Sequence, residues 1–364
     1  MFDGVYEGKR VLVTGSTGFK GVYLSCFLQK LKAEVLGIAL PMPELSLYNI
    51  CRKEKSFSTL FCDIREKEKL EKILKEFQPE IVFHLAAQSL VKKSYTEPVE
   101  TFSTNIMGTV NILECCRKCE SIRSIIVISS DKCYENRETF TACKESDPMG
   151  GYDPYSASKG CTEIVTSAYR RSFFPIEEYG KSHHVLLGSC RAGNVIGGGD
   201  YAENRLIPDL VRGTLEERET ILRNPASIRP WQHVFEPLSG YLALGAKLYS
   251  GEKDFAEGWN FGPGADQNIS VGMASLLLQK YWDKVRIKEV QEKTLQHEAG
   301  LLFLDSSKAG EKLQWKSTWN IEKTFQMTAQ WYSSYHEKGI NLLEEQLQEY
   351  IFDAQKENIL WSIK

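Results

Sequence analysis

The chain has 364 residues, 42% of them hydrophobic, and 45 Lys+Arg against 48 Asp+Glu give a formal net charge of -3. That length accommodates one large α/β domain with an appended lobe, or two domains, and a sizeable core in either case. A balanced charge without a long basic tract argues against nucleic acid as a partner, and no apolar run approaches the ~18 residues of a membrane helix, so small molecules or other chains are the expected partners.

The first strand candidate begins at Lys9, which leaves no room for a signal peptide, and a cytoplasmic protein is expected. Ten cysteines are scattered without the paired spacing of a zinc site. They read as reduced thiols, and no metal is expected, because "CRKC" (Cys116 to Cys119) lacks a second pair.

In chain order, "RVLVTG" (10–15) runs into "TGSTGFKG", with Gly15, Gly18 and Gly21 between a strand and a helix. Gly15 permits the tight turn, Gly18 lets the backbone approach a pyrophosphate, and Gly21 lets helix and strand pack closely, with the helix N-terminus facing the phosphates. The second strand, "AEVLGIAL" (33–40), meets no acid until Glu44 and no arginine for a 2′-phosphate; NAD is favoured over NADP. The third, "STLFCDI" (58–64), ends near Asp63, a carboxylate suited to the adenine amino group or to capping the next helix. In "EKEKLEKILKEF", Leu70, Ile73, Leu74 and Phe77 recur at helical spacing, so one face packs and the charged remainder is solvated.

A fourth strand, "EIVFHLA" (80–86), precedes a long helix candidate after Pro98, "VETFSTNIMGTVNILECC". "SIIVISS" (124–130) and "HVLLGSC" (184–190) are the fifth and sixth strands, with a second long helix after Pro154 between them. Both helices carry apolar residues on more than one side, which predicts a homodimer through them unless the same residues serve the core. The alternation of strands and helices predicts a Rossmann-type, doubly wound parallel sheet. From about Arg191 the pattern gives way to a Gly, Asn and Pro-rich region, and the tail from about 320 is helical. The expected division is a dinucleotide domain of 1–190 plus about 236–261, and a smaller substrate-binding lobe of 191–235 and 262–364, with ligand in the crevice between them.

Two stretches carry chemistry. "SSDKCYEN" ends a buried strand in Ser129, Ser130, Asp131 and Lys132; "YSASK" puts Tyr155 and Lys159 on one helix face, where an ammonium lowers a phenol's pKa from ~10 so that it can take a proton from a hydroxyl. Together with "HLAAQ" and "RAGNVIGGGD", these strings resemble the extended short-chain dehydrogenase/reductase superfamily, and "DPMGGYDPYSASKG", "RPWQHVFEPLSGYL" and "WNFGP" look like its CDP-glucose 4,6-dehydratase branch, from about Gly8 to about Tyr335.

The resemblance implies an NAD-dependent lyase acting on a nucleotide-diphosphate sugar, in a pathway toward dideoxyhexoses of surface polysaccharides. The C4 hydroxyl is oxidised, water leaves across C5 and C6, and hydride returns to C6. It implies Tyr155 as the base at the C4 hydroxyl, Lys159 as its partner, Ser130 on the C4 oxygen and Asp131 as the acid for the leaving hydroxyl. Related dehydratases carry Asp-Glu where this chain has Asp131-Lys132, so the C5 base is either Lys132 in its neutral form, or Glu135 or water with Lys132 stabilising an enolate. The resemblance also implies cofactor contacts from Gly15, Thr17, Gly18, Phe19, Gly21, Asp63, Ile64, Leu85, Ala86, Ala87, Tyr155 and Lys159. Substrate contacts fall to Gln88, Asn194, Arg205, Arg229 and Asn260, the arginines being suited to bidentate phosphate binding. His233 and Trp231 read as packing. A nucleotide-sugar 4-epimerase, or a dehydratase for another nucleotide sugar, is the competing reading; a non-enzymatic redox sensor has no need of Ser130, Tyr155 and Lys159.

Overall fold

The computed structural model describes residues 1–363 apart from 55–56, 137–138, 140, 223, 265–266 and 291–300. Seven parallel strands form the central sheet: β1 (Arg10–Thr14), β2 (Glu34–Ala39), β3 (Ser58–Phe61), β4 (Ile81–His84), β5 (Ser124–Ile128) and β6 (Leu186–Ala192), joined after an excursion by a four-residue strand, Gly258–Phe261. The excursion contributes β7 (Asn194–Ile196), β8 (Thr220–Leu222) and β9 (Ile228–His233), so the seventh sheet strand is β10; β11 (Asn268–Ser270) and β12 (Ile287–Glu289) follow.

The sheet order is β10-β6-β5-β4-β1-β2-β3, so the chain reverses direction across the sheet between β1 and β4. In an open parallel sheet the crevice beyond the carboxyl ends at such a point is where ligands bind. β4 and β5 are buried along their whole length, as their β-branched runs require, because helices cover both faces. On one face the helix Lys67–Phe77 buries Leu70, Ile73 and Leu74 against Leu12, Val82 and Ile125, leaving its charged side in water. The other face holds the helices Phe19–Lys30 and Phe235–Tyr249, on which the C-terminal helices Ile321–Lys338 and Leu343–Lys356 pack.

The segment after Pro98 is not one uniform α-helix. Pro98–Phe102 and Gly108–Arg117 are α-helical, and Ser103–Met107 between them is a π turn. That extra residue per turn aims Asn105 inward: its amide nitrogen donates to Gln88 O and Ser158 Oγ, and its oxygen accepts from Gln88 N at 2.8 Å. Small sheets β11-β9-β7 and β12-β8 build the lobe facing the crevice.

Candidate active site

A cavity of about 1530 Å³ lies along the carboxyl ends of β1, β4, β5 and β6 and extends beneath the small sheets. It exceeds the ~300–1,000 Å³ of an ordinary single-ligand pocket and has room for two extended ligands end to end. At one end stands the glycine loop. Gly15 has φ +72, and a Cβ there would lie 2.8 Å from Ala86 N; a Cβ on Gly21 would lie 2.1 Å from Gly15 O. The helix starting at Phe19 has no side-chain cap, which leaves its first amides to an anion. His84 links Thr14 Oγ1 at 2.7 Å to Thr109 Oγ1 at 3.0 Å, and Ala86 N donates to Thr14 Oγ1, so the floor formed by Leu85, Ala86 and Ala87 is held to β1. Burial drives the His84 imidazole down to about 3, so it is a neutral strut.

Thr17, Phe19, Ile64 and Asp63 also line the cavity, and Thr17 Oγ1 donates to Leu40 O. The Asp63 carboxylate is gripped by the Arg65 guanidinium, with contacts down to 2.6 Å, which holds it below the usual carboxylate range. Where the second strand ends, Ala39, Leu40 and Met42 form the wall. This end therefore fits a dinucleotide: close backbone approach, free helix amides and an apolar slot.

The middle of the cavity gathers the acid–base groups. After β5 the chain makes a 3-10 turn, Asp131–Cys133, whose N-cap is Ser130. Ser130 Oγ donates to Asp131 Oδ1 at 2.8 Å and accepts from Lys132 N, and its influence on the Tyr155 phenol is to lower it. Asp153 caps the next helix through Ser156 N at 2.9 Å, and Pro154 occupies its first turn, which sets Tyr155 and Lys159 on the cavity side. Burial raises the Asp131 carboxyl above its ordinary value, against the pull of Lys132, Ser130 and Lys20. Lys132 is half-buried and Glu135 exposed at the rim, both lining the cavity.

Lys159 shares the cavity-facing side of the helix with Tyr155; its ammonium donates to Ile128 O at 3.2 Å and is lowered to about 8 by burial. Burial pushes Tyr155 up to about 12, and the Ser130 hydrogen bond is the main opposing effect.

Beneath the turn lies a buried ion pair, Arg191 to Glu163 at 2.9 Å, with Ser129 and Ser189 also donating to Glu163. Arg191 reaches Tyr134 OH at 2.5 Å, so strand β6, the Tyr155 helix and the catalytic turn are tied at one point.

Of the predicted substrate residues, Asn194, Arg205 and Arg229 line the far half of the cavity. Arg205 donates to Asp200 at 3.0 Å and to Ser89 at 3.2 Å. Gln88 and Asn260 require correction, since neither is part of the cavity lining. The Gln88 amide donates to Leu90 O and Thr101 Oγ1 and accepts from Leu90 N at 2.6 Å, shaping its own loop. Asn260 is fully buried in β10, accepting from Tyr134 OH at 2.7 Å and donating to Cys143 O and Asp305 O. Trp231 is buried with one edge on the cavity, and His233 packs against Trp319 with ring centres 4.8 Å apart.

Motif reading passes over Lys20, which lines the cavity, and Asn105, which from outside the lining ties the Gln88 loop to Ser158. The available signals were a lysine between two loop glycines and a polar "STN" inside an otherwise helical run. Among the described residues no group of three or more His, Cys, Asp or Glu side chains is placed to hold a metal, and no helix is long and apolar enough to cross a membrane.

Residues 12–328 match the family model of GDP-mannose 4,6 dehydratase. The chain is 47% identical over 331 residues to the CDP-glucose 4,6-dehydratase of Salmonella typhimurium, an alignment that takes in 91% of this chain and 92% of that one. In fold it is similar to an epimerase of Methanothermobacter thermautotrophicus, with a TM-score of 0.78 at 21% identity, covering 94% of this chain and 97% of that one. It is also similar to a dTDP-glucose 4,6-dehydratase of Bacillus anthracis solved in complex with NAD, with a TM-score of 0.74 at 23% identity and coverage of 91% and 98%.

Proposed function

The chain belongs to the GDP-mannose 4,6 dehydratase family, and within it we propose an NAD-dependent lyase that converts CDP-glucose into CDP-4-keto-6-deoxyglucose. The observation that carries the choice of reaction is Asp131. Its buried carboxyl, raised by desolvation, bonded to Ser130 and lining one cavity with Tyr155, is a proton donor in the same cleft as a proton acceptor. A 4-epimerase has no leaving hydroxyl to protonate. The similarity to the Salmonella enzyme supports CDP-glucose over other nucleotide sugars.

The glycine loop and the apolar slot beside it would hold NAD, which would supply a hydride acceptor and donor at the sugar. Tyr155 takes the proton of the C4 hydroxyl, and Ser130 holds the C4 oxygen while opposing the rise that burial imposes on the phenol. Lys159, on the same helix face, adds positive charge beside the phenolate. A ketone at C4 acidifies the C5 proton, and we assign its removal to Lys132, with Glu135 at the rim as the competing base. Asp131 gives its proton to the C6 hydroxyl, which leaves as water, and C5 regains a proton from the base. Asn194, Arg205 and Arg229 hold the diphosphate and nucleotide, where guanidinium forks match phosphate oxygens. Asp63, Ile64, Leu85, Ala86 and Ala87, which line the cavity, would hold the adenosine and ribose end of the cofactor.

We further propose a cytoplasmic homodimer serving dideoxyhexose synthesis for surface polysaccharides. Val99, Met107 and Ile164, on the two long helical segments, are 81%, 51% and 59% exposed, which favours a partner over water. Ile164→Arg is expected to sediment as a monomer where the unaltered chain sediments as a dimer; a monomeric parent overturns this. For the reaction, the protein is incubated separately with CDP-glucose, dTDP-glucose, GDP-mannose and UDP-N-acetylglucosamine. Loss of one water from CDP-glucose without net NADH supports the assignment. Interconversion without mass change, or no turnover of any of them, refutes it.

A further inference from the structure

Strands β6 and β7 are separated by a single residue, Gly193. Glycine between two strands costs backbone entropy and packs nothing, so it marks either a bend that only glycine can make or a group that approaches the backbone closely. The first reason does not apply, because Gly193 is not among the glycines with positive φ. The second does. A Cβ at Gly193 would lie 3.1 Å from Pro230 Cγ, on β9, and 3.2 Å from Asp131 Oδ2, both tighter than side chains ordinarily pack. The next atom is again from Pro230, its carbonyl oxygen at 3.6 Å, so the missing side chain leaves room for Asp131 and Pro230 in particular. Asp131 Oδ1 accepts from Ser130 Oγ at 2.8 Å, and Oδ2 is the oxygen on the Gly193 side. Gly193, Asp131, Ser130 and Tyr155 all line the cavity, whereas Pro230 does not.

We propose that Gly193 is a specificity-determining residue for the C6 hydroxymethyl group of the sugar, its missing side chain leaving one flank of Asp131 Oδ2 open to the hydroxyl that departs. The inference rests on the dehydratase reading, in which Asp131 protonates that hydroxyl, and adds where the group sits. An acid must come within about 2.6–3.2 Å of the oxygen it protonates, so C6 and its hydroxyl need space against the carboxyl. A methyl group at position 193 takes part of that space and displaces the carboxyl by a few tenths of an ångström. A sugar that ends at C5 places no group there and is indifferent to the methyl.

The test compares CDP-glucose with CDP-xylose, which carries hydrogen in place of the hydroxymethyl group, on the full chain loaded with NAD. The variants are Gly193→Ala and the bulkier Gly193→Val. Calorimetry is expected to show weakened binding of CDP-glucose and unchanged binding of CDP-xylose. Since a 1 Å misplacement costs about 10²-fold, a displacement of a few tenths of an ångström is expected to slow water loss from CDP-glucose roughly three- to tenfold in Gly193→Ala, and further in Gly193→Val. In a single turnover of CDP-xylose the C4 hydride passes to NAD and the hydroxyl proton to Tyr155, no water can leave, and NADH is expected to form at the rate of the unaltered protein. Adding Pro230→Ala to Gly193→Ala removes the contact with Pro230 Cγ and keeps the one with Asp131, so the CDP-glucose defect is expected to remain. Equal losses with both sugars in folded variants, no change with either, or recovery on adding Pro230→Ala overturns the proposal. Failure of the dehydratase reading looks different: the unaltered protein releases no water from CDP-glucose, while Gly193→Ala still weakens binding of CDP-glucose and not of CDP-xylose.

Discussion

Replacing Glu163 by Gln keeps the side chain's shape and removes its charge. Arg191, 6% exposed at its side chain, then stays buried with a neutral partner, and Ser129 and Ser189 compete for a single remaining acceptor oxygen. Breaking one side of a buried pair of this kind costs about 3–5 kcal/mol, most of it the desolvation of the orphaned charge. The expected result is a drop of that size in guanidinium-denaturation free energy and a fall in melting temperature of roughly 5–10 °C. Because Ser129 precedes Ser130 and Asp131, kcat is expected to fall with little change in KM. Removing both charges with Glu163→Met and Arg191→Met is expected to be less destabilising than either single change, since no uncompensated ion remains. The folded-state carboxyl of Glu163 is depressed, so its stabilisation is present above the ordinary carboxylate range and lost as the pH falls below about 4. A single Glu163→Gln loss under about 1 kcal/mol, with additive singles, would show that Arg191 is compensated elsewhere and refute the reasoning.

Asp131→Asn should retain C4 oxidation and lose water roughly 10²–10⁴-fold more slowly, read as NADH accumulation against product mass; equal loss of both steps contradicts its role as acid. Lys132→Met should abolish entry of solvent deuterium at C5 while leaving C4 oxidation partly intact, and a fully active variant removes Lys132 from the mechanism. Glu236 is buried and raised to about 7 although it accepts from Thr318 N, Trp319 N and Tyr350 OH. Since the folded chain holds a proton there that the unfolded chain has released, stability should fall with rising pH from the ordinary carboxylate range up to about 7. Glu236→Gln should flatten that slope, and an unchanged slope in denaturation curves argues against it.

Strands β1, β4 and β5 were readable because burial on both faces demands unbroken β-branched runs. β10 was not, because four residues beginning with Gly258 carry no period; their pairing with β6, Trp259 opposite Cys190, makes them a strand. Gly15, Tyr155 and Lys159 were legible because spacing alone fixes their side of a turn or helix. The misreading of Gln88 and Asn260 has a common cause. Their hydrogen-bond partners include Thr101, Cys143 and Asp305, distant in sequence, and no local pattern shows that an amide is already satisfied. The π turn at Ser103–Met107 is likewise a tertiary outcome, since it lets Asn105 bind Gln88 and Ser158 at once. Lys159 shows the same limit for charge: spacing places it, but the Ile128 carbonyl decides where its ammonium points.

In the proposed reaction one hydride leaves C4 and comes back at C6 within a single active site, with Asp131 and the C5 base removing water in between. CDP-glucose carrying deuterium at C4, turned over in ordinary water and examined by NMR and mass spectrometry, tests this directly. The expected product is a 4-keto-6-deoxy sugar that retains the deuterium at C6 and takes one solvent hydrogen at C5. Deuterium lost to water, or found still at C4 in an inverted sugar, would contradict it.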